Sequence, residues 1–377
     1  MASRLKFLSN LSPAHSAIAV ENPTAPAIFS DASQKISLLR FPLTVLIVLI
    51  HARFQGPEYP DAATHFLSNS VLFGKLPHCA VAMFFAISGY LIPTQVDHGF
   101  FNLLKRKLKS LALPYLLWNS LLMLPHLLLP LVAANSSLLP AAKYENLSVW
   151  QSIVRTYGLN FEPPIDVPLW FIRNLLLLSL TAPILLWLMR RVPTWLSLGV
   201  LFLGSYLTVD CSLWFFAFGM LFRIAKIDHL KFNRLTPPFI AIPILYCLIS
   251  EFHGFNWPLL LWLSLFLFLG MASLAQKLPS KCQTALVRLG EYSFWIYCLH
   301  APFATTFTRL GQKLHFLHLP PAAWVFLNCF ITIAFCITSL LILKRLSPRL
   351  TSILAGGRIP HHSLRKLFRH RPTSNPN

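Results

Sequence analysis

Charge is what this 377-residue sequence has least of. Only 12% of its residues are Asp, Glu, Lys or Arg, about half the usual share of a soluble domain. The shortage falls on the acids, with 12 Asp plus Glu against 32 Lys plus Arg and a formal net charge of +20. A soluble nucleic-acid-binding domain would carry many more charges of both signs on its surface. Every surface helix of a soluble domain also needs a polar face. Neither is available to a chain that is 55% hydrophobic. A disordered basic chain would not contain 31 Phe and 10 Trp. The class that remains is all-α: a polytopic membrane helical bundle whose few charges are sorted by side.

Motifs are missing too. The seven cysteines, at 79, 211, 247, 282, 298, 329 and 336, form no CxxC pair and fall mostly in apolar runs, so they read as small buried hydrophobes. There is no HExxH, no GxxxxGK(S/T) and no GxGxxG, which removes the motifs of zinc proteolysis and of nucleotide binding. No metal site and no permanently bound cofactor is expected. All twelve acidic residues lie in loops or at the ends of apolar stretches. Proton-coupled transporters usually need buried carboxylates, so an exporter of polysaccharide or small acids is the alternative rather than the leading reading.

What is present is a succession of apolar stretches, each near the ~20 residues a helix needs to cross a bilayer. Ten candidate spans are predicted, at 36–54, 78–96, 110–133, 169–189, 195–208, 212–225, 236–252, 257–275, 290–308 and 321–343. The fifth and sixth are short, parted only by Val209-Asp210-Cys211. With both termini in the cytoplasm, inner segments hold 25 Lys and Arg and outer segments 6, and Arg173 sits within a span. That asymmetry is what the positive-inside rule requires. Residues 1–34 have no apolar run longer than Ala17 to Val20, so they read as a mobile cytoplasmic extension rather than a signal peptide. The membrane domain is then 35–345. Residues 346–377 read as a basic cytoplasmic tail lying on anionic lipid rather than binding nucleic acid.

Ionisable and hydroxyl-bearing side chains inside spans mark candidate function. Arg40 and His51 stand eleven residues apart on span one, about three helical turns, so they share a face roughly 16 Å apart. Arg40 is either a snorkelling anchor or a cation in a site. His51 is either a satisfied core histidine or a functional one. Arg173 has three readings: an interfacial residue, a counter-ion for an outer acid such as Asp166, or part of a site. In Ser88-Gly89-Tyr90, the glycine permits close approach of either a helix or a ligand. Ser293, Tyr297 and His300 fall at i, i+4 and i+7, a polar stripe that must face the bundle interior.

At these residues the sequence resembles the acyltransferase 3 family of bacterial integral-membrane acyltransferases, in its stand-alone form of fucose 4-O-acetylase-like or surface-polysaccharide O-acetyltransferases. Arg40-x10-His51 is similar to the family's R-x10-H motif, and Met83-Phe-Phe-Ala-Ile-Ser-Gly-Tyr90 to its FFxxSGY segment. The run from Lys105 through Pro114-Tyr115 to Trp118-Asn119, then Pro168-Leu-Trp-Phe-Ile-Arg173, then Gly290-Glu-Tyr-Ser-Phe-Trp-Ile-Tyr-Cys-Leu-His300 follow in the family's order. The Asp-Gly that often precedes the motif Arg is here Leu38-Leu39, and the extra SGNH-type domain of some members is not expected within these residues.

The resemblance implies transfer of an acetyl or succinyl group from cytoplasmic acyl-CoA, acetyl-CoA being the expected donor substrate, to a hydroxyl of a cell-surface or lipid-linked glycan. It implies a bacterial inner-membrane location, with membrane lipids as surroundings and no nucleic-acid partner. A sugar hydroxyl is a weak nucleophile, and histidine suits the task of taking its proton. His51 is thus expected as general base, with an acyl-histidine intermediate as the variant. Arg173, Ser88 or backbone N–H groups are expected at the oxyanion. Arg40, with Lys105 and Arg106, is expected to hold CoA phosphates. Ser88, Tyr90, Trp170, Ser293, Tyr297 and His300 are expected to contact substrate.

Overall fold

Backbone in a hydrocarbon medium has no water to bond, so each apolar stretch must close its own hydrogen bonds as helix. The computed structural model describes residues 27–53, 70–132, 147–208, 212–226, 235–253, 256–314 and 319–358. Among the described residues there is helix and no strand. The order is α1 (Ala27–His51), a π-helical turn (Val71–Lys75), α2 (Leu76–Asp97), α3 (Phe100–Lys107), a second π-turn (Leu108–Ala112), α4 (Leu113–Val132), α5 (Val149–Thr156), a 3-10 turn (Val167–Leu169), α6 (Trp170–Met189), α7 (Thr194–Leu207), α8 (Ser212–Ile224), α9 (Thr236–His253), α10 (Trp257–Gln276), α11 (Ser280–Gly290), α12 (Ser293–Leu314), α13 (Pro321–Leu346) and α14 (Pro348–Leu354).

Among the described residues each of the ten expected spans coincides with helix, residues 54 and 133 at the ends of the first and third lying outside them. Five stretches are long and apolar enough to cross a membrane by length and composition: Ala32–His51, Val71–Asp97, Val167–Met189, Trp257–Gln276 and Ala322–Leu346. The doubtful fifth and sixth spans are two separate helices of 14 and 13 residues. At 1.5 Å per residue each is only about 20 Å long, short of a full hydrocarbon core. They pack on each other. The Trp214 indole covers Gly204, and its Nε1 donates to Thr208 Oγ1 at 2.5 Å.

Helix ends pair as in-and-out alternation demands. Asp97 at the end of α2 meets Arg190 beyond the end of α6 at 3.1 Å. Gln276, at the end of α10, donates to Gln34 in the first half of α1 at 3.1 Å. At the opposite face, Lys75 before α2 donates to Cys247 O (2.9 Å) and Ser250 Oγ (3.2 Å) in the last turns of α9. α1 is the central helix, packed against α2, α10, α11, α12 and α13. Leu38, Leu39, Leu43 and Val48 along it are almost fully buried.

α2 and α8 approach each other to backbone contact. A Cβ on Gly89 would stand 1.8 Å from Phe216 O, and one on Gly219 would stand 1.9 Å from Ala86 O. Two reciprocal glycines therefore bring two backbones into contact, the small-residue packing typical of membrane helices. Of the two expectations for Gly89, the partner is a helix and not a ligand.

Two segments expected to lie free of the bundle pack into it. Residues 147–166, read as an outer loop, lie along one face of α4. Tyr115 Oη donates to Tyr157 O (2.5 Å), Asn119 Oδ1 accepts from Asp166 N (3.2 Å), Tyr157 Oη pairs with Ser120 Oγ (2.8 Å), and Thr156 Oγ1 reaches Met123 Sδ (3.5 Å). The start of the basic C-terminal segment forms α14. There Thr351 and Ala355 are buried, and Leu354 O accepts from Trp118 Nε1 at 3.2 Å.

Gly89→Ala or Gly219→Ala forces α2 and α8 apart, because the obstructing atoms are backbone. Each substitution is expected to lower the stability of purified protein by about 1–3 kcal/mol, read as a fall in thermal unfolding temperature in detergent. Unchanged unfolding in both would refute the contact.

Candidate active site

α1 and α12 run side by side with their polar positions facing. Near the start of α12, Ser293 Oγ donates to Arg40 O at 3.4 Å. Gly290, at the end of α11, lies against Arg40, where a Cβ would stand 3.5 Å from Arg40 Cβ, an ordinary contact. One turn beyond Ser293, Tyr297 Oη donates to Pro168 O. One turn further, His300 is wholly buried and its ring stands edge-on to His51, centroids 5.0 Å apart. The polar stripe of α12 thus follows α1 from Arg40 to His51.

The histidine pair has a defined protonation pattern. His300 Nδ1 lies 2.8 Å from Tyr297 O and 3.1 Å from Ile296 O. A carbonyl only accepts, so Nδ1 carries the proton and Nε2 of the neutral ring is the lone-pair nitrogen. That Nε2 is buried without a hydrogen-bond partner among the described residues. His51 sits on the last turn of α1, and Asn328 anchors that turn. The Asn328 amide nitrogen lies 3.2 Å from Ala52 O, 3.1 Å from Ala304 O and 2.8 Å from Thr308 Oγ1, while Oδ1 accepts from Thr332 at 3.1 Å.

His51 opens on a cavity of about 160 Å³, which is also lined by His78, Phe84, Trp170, Phe171 and Tyr297. His78 was not expected. Its Nδ1 lies 2.6 Å from Gly74 O, so by the same logic its Nε2 is a basic nitrogen. The signal was a histidine on the first turn of span two, at the bundle end where His51 finishes span one. Aromatic walls beside imidazoles suit a ligand with polar edges and apolar faces, as a sugar ring has.

Of the expected residues, the structure gathers His51, Trp170 and Tyr297 around the cavity, with His300 directly behind His51. Others lie elsewhere. Arg173 is directed to the 158–162 turn: Nη1 donates to Gly158 O (2.6 Å) and Glu162 O (2.7 Å), Nη2 to Phe161 O (3.2 Å), and Nε to Asn174 Oδ1 (3.3 Å). Its guanidinium also covers the Phe161 ring. It satisfies carbonyls of an irregular segment packed in the bundle, and it pairs with neither Asp166 nor an oxyanion at the cavity. Ser88 is half-buried one turn beyond Phe84, off the cavity lining. Tyr90 packs with Ala32 and Ile36 near the start of α1 and under Arg223 (5.0 Å), about 22 Å along the helix from His51. At the other end of the stripe from His51, Lys105 is exposed and Arg106 half-buried. Among the described residues no three His, Cys, Asp or Glu side chains are grouped to hold a metal ion.

The burial of Asp166 is a second feature that the sequence did not reveal. It precedes the α6 span, is 2% exposed, and its Oδ2 has no partner among the described residues. Burial holds its carboxyl well above the ordinary carboxylate range.

An inward-facing Arg and His on one helix, opposite a hydroxyl-and-imidazole stripe on another, define a membrane-embedded site of a recognisable class. The chain belongs to the acyltransferase 3 family, whose acyltransferase-domain profile matches residues 34–341. It is similar to the succinoglycan biosynthesis protein ExoH of Rhizobium meliloti (strain 1021), being 26% identical over 354 aligned residues that cover 87% of this chain and 93% of the relative. No solved structure matches.

A raised folded pKa means that Asp166 contributes its full stability below the ordinary carboxylate range and loses it as pH rises through the folded value. Asp166→Asn removes that loss. The variant is expected to gain thermal stability relative to the parent between pH 5 and pH 8, measured by thermal unfolding at each pH. A constant difference would show the carboxylate to be ionised and compensated.

Proposed function

We propose that this membrane acyltransferase moves an acetyl or succinyl group from a cytoplasmic acyl-CoA to a hydroxyl of a cell-surface or lipid-linked glycan. The bilayer would be a bacterial inner membrane, with both chain termini cytoplasmic. The observation that carries the reading is His51 on the cavity wall, edge-on to a buried second imidazole, in a chain that matches the acyltransferase family. The glycan acceptor is supported by the relative's name, which ties it to succinoglycan biosynthesis, and by the aromatic and imidazole lining.

In this reading the acceptor hydroxyl lies against His51, which takes its proton as the oxygen attacks the thioester carbon. The new C–O bond forms and the C–S bond breaks. The proton held by His51 passes to the departing CoA thiolate. His300 is a positioning residue, its buried ring edge-on to His51 and outside the cavity lining. The oxyanion is met by the indole N–H of Trp170, which lines the cavity, in place of Arg173. An exporter would need none of this arrangement.

The test is acceptor-dependent release of free CoA from membranes that carry the chain. His51→Ala at parental protein level is expected to lower the rate by about 10²–10⁴-fold. An unchanged rate overturns the base assignment. Glycan mass spectrometry of a deletion strain beside its parent is expected to show loss of one acetyl or succinyl unit, and an identical glycan overturns the acceptor class.

A further inference from the structure

A cation with no part in the transfer described above stands at the rim of the cavity. Arg53 follows the end of α1 by two residues and is half-buried. Its position is built. Between it and His51 lies Ala52, fully buried, whose N–H donates to Val48 O at 2.9 Å and whose carbonyl accepts from Asn328 at 3.2 Å. The Arg53 side chain folds back along the helix end, and its Nε donates to Ile50 O at 3.0 Å. Ile50 and His51 both line the cavity, as does His78 on α2. Arg53 acts electrostatically on both of those imidazoles.

The rim holds this cation without a counter-ion. No carboxylate among the described residues acts on Arg53, His51 or His78. Lys75, three residues before His78, is turned to α9 and donates to Cys247 O and Ser250 Oγ. Among the described residues the Arg53 Nη groups donate to no protein atom. A guanidinium with Nε engaged keeps its two terminal nitrogens side by side, a spacing that matches the two oxygens of a carboxylate. Like charges repel, so an uncompensated Arg53 works against the imidazolium that His51 becomes on taking the acceptor proton. A carboxylate seated on Arg53 removes that opposition at the moment of transfer.

We propose that Arg53 is a specificity-determining residue that binds a carboxylate on the substrate, so that transfer favours a substrate with negative charge close to the reacting atoms. The proposal rests on the acyltransferase reading above and deepens it by naming the charge of the substrate at the same site. Two sources supply this chemistry: the free carboxylate of a succinyl group on the donor, or an acidic sugar in the acceptor.

The test follows release of free CoA by membranes carrying the parental chain, Arg53→Gln, Arg53→Lys or Arg309→Gln. The donors are acetyl-CoA and succinyl-CoA. The acceptor is glycan from a deletion strain, used as isolated or after reduction of its carboxyls to alcohols. The parental chain is expected to show a kcat/KM about tenfold or more higher for a charged than for an uncharged pairing, the scale of one charge-assisted bond. Arg53→Gln is expected to lower that charged-to-uncharged ratio by about tenfold. Arg53→Lys, which keeps the charge and loses the fork, is expected to lower it less. Arg309→Gln removes a charge from an exposed position on α12 and is expected to alter the ratio less than about twofold. The ratio is read within each variant, so a fall in folded protein leaves it unmoved. A preference that follows the donor assigns the carboxylate to the succinyl group, and one that follows the acceptor assigns it to an acidic sugar. CoA release by the parent without such a preference, or a preference that survives in Arg53→Gln, overturns the proposal and leaves the acyltransferase reading standing. No CoA release by the parent from any pairing overturns both.

Discussion

The bundle is organised by the difficulty of keeping a guanidinium and an imidazole on one helix inside a hydrocarbon medium. Arg40 and His51 share a face of α1, so that face cannot meet lipid, and α1 must be surrounded. It is enclosed by α2, α10, α11, α12 and α13. The helix opposite must offer polar atoms at matching heights. α12 does so with Ser293 at Arg40 and His300 at His51. Asn328 of α13 completes the arrangement by holding the backbone just past His51. The reciprocal glycines of α2 and α8 have no part in chemistry, but they hold α2, which supplies His78 and Phe84, against the rest.

Much of this was legible from residue types and spacing. Eleven residues between Arg40 and His51 and the i, i+4, i+7 pattern of Ser293, Tyr297 and His300 each define a face, and two inward polar faces in one bundle tend to meet. What sequence could not supply was the path of irregular segments. The 147–166 stretch carries Asp166 and glutamate like an outer loop, yet hydrogen bonds to Tyr115, Asn119 and Ser120 lay it on α4. Its packing there explains Arg173, whose donors are needed by carbonyls that no helix satisfies. An arginine in an apolar span reads identically whether it serves an oxyanion or a turn, because only the acceptor differs.

The same limit applies to the C-terminal segment. A run of basic residues without acids carries no periodicity, so it reads as a tail lying on anionic lipid. The docking signals are local and small: Thr351 and Leu354 on one face of a seven-residue helix, then two glycines. His78 shows a related case. Alone at the start of a span it resembles any interfacial histidine, and only the folded cavity places it beside His51.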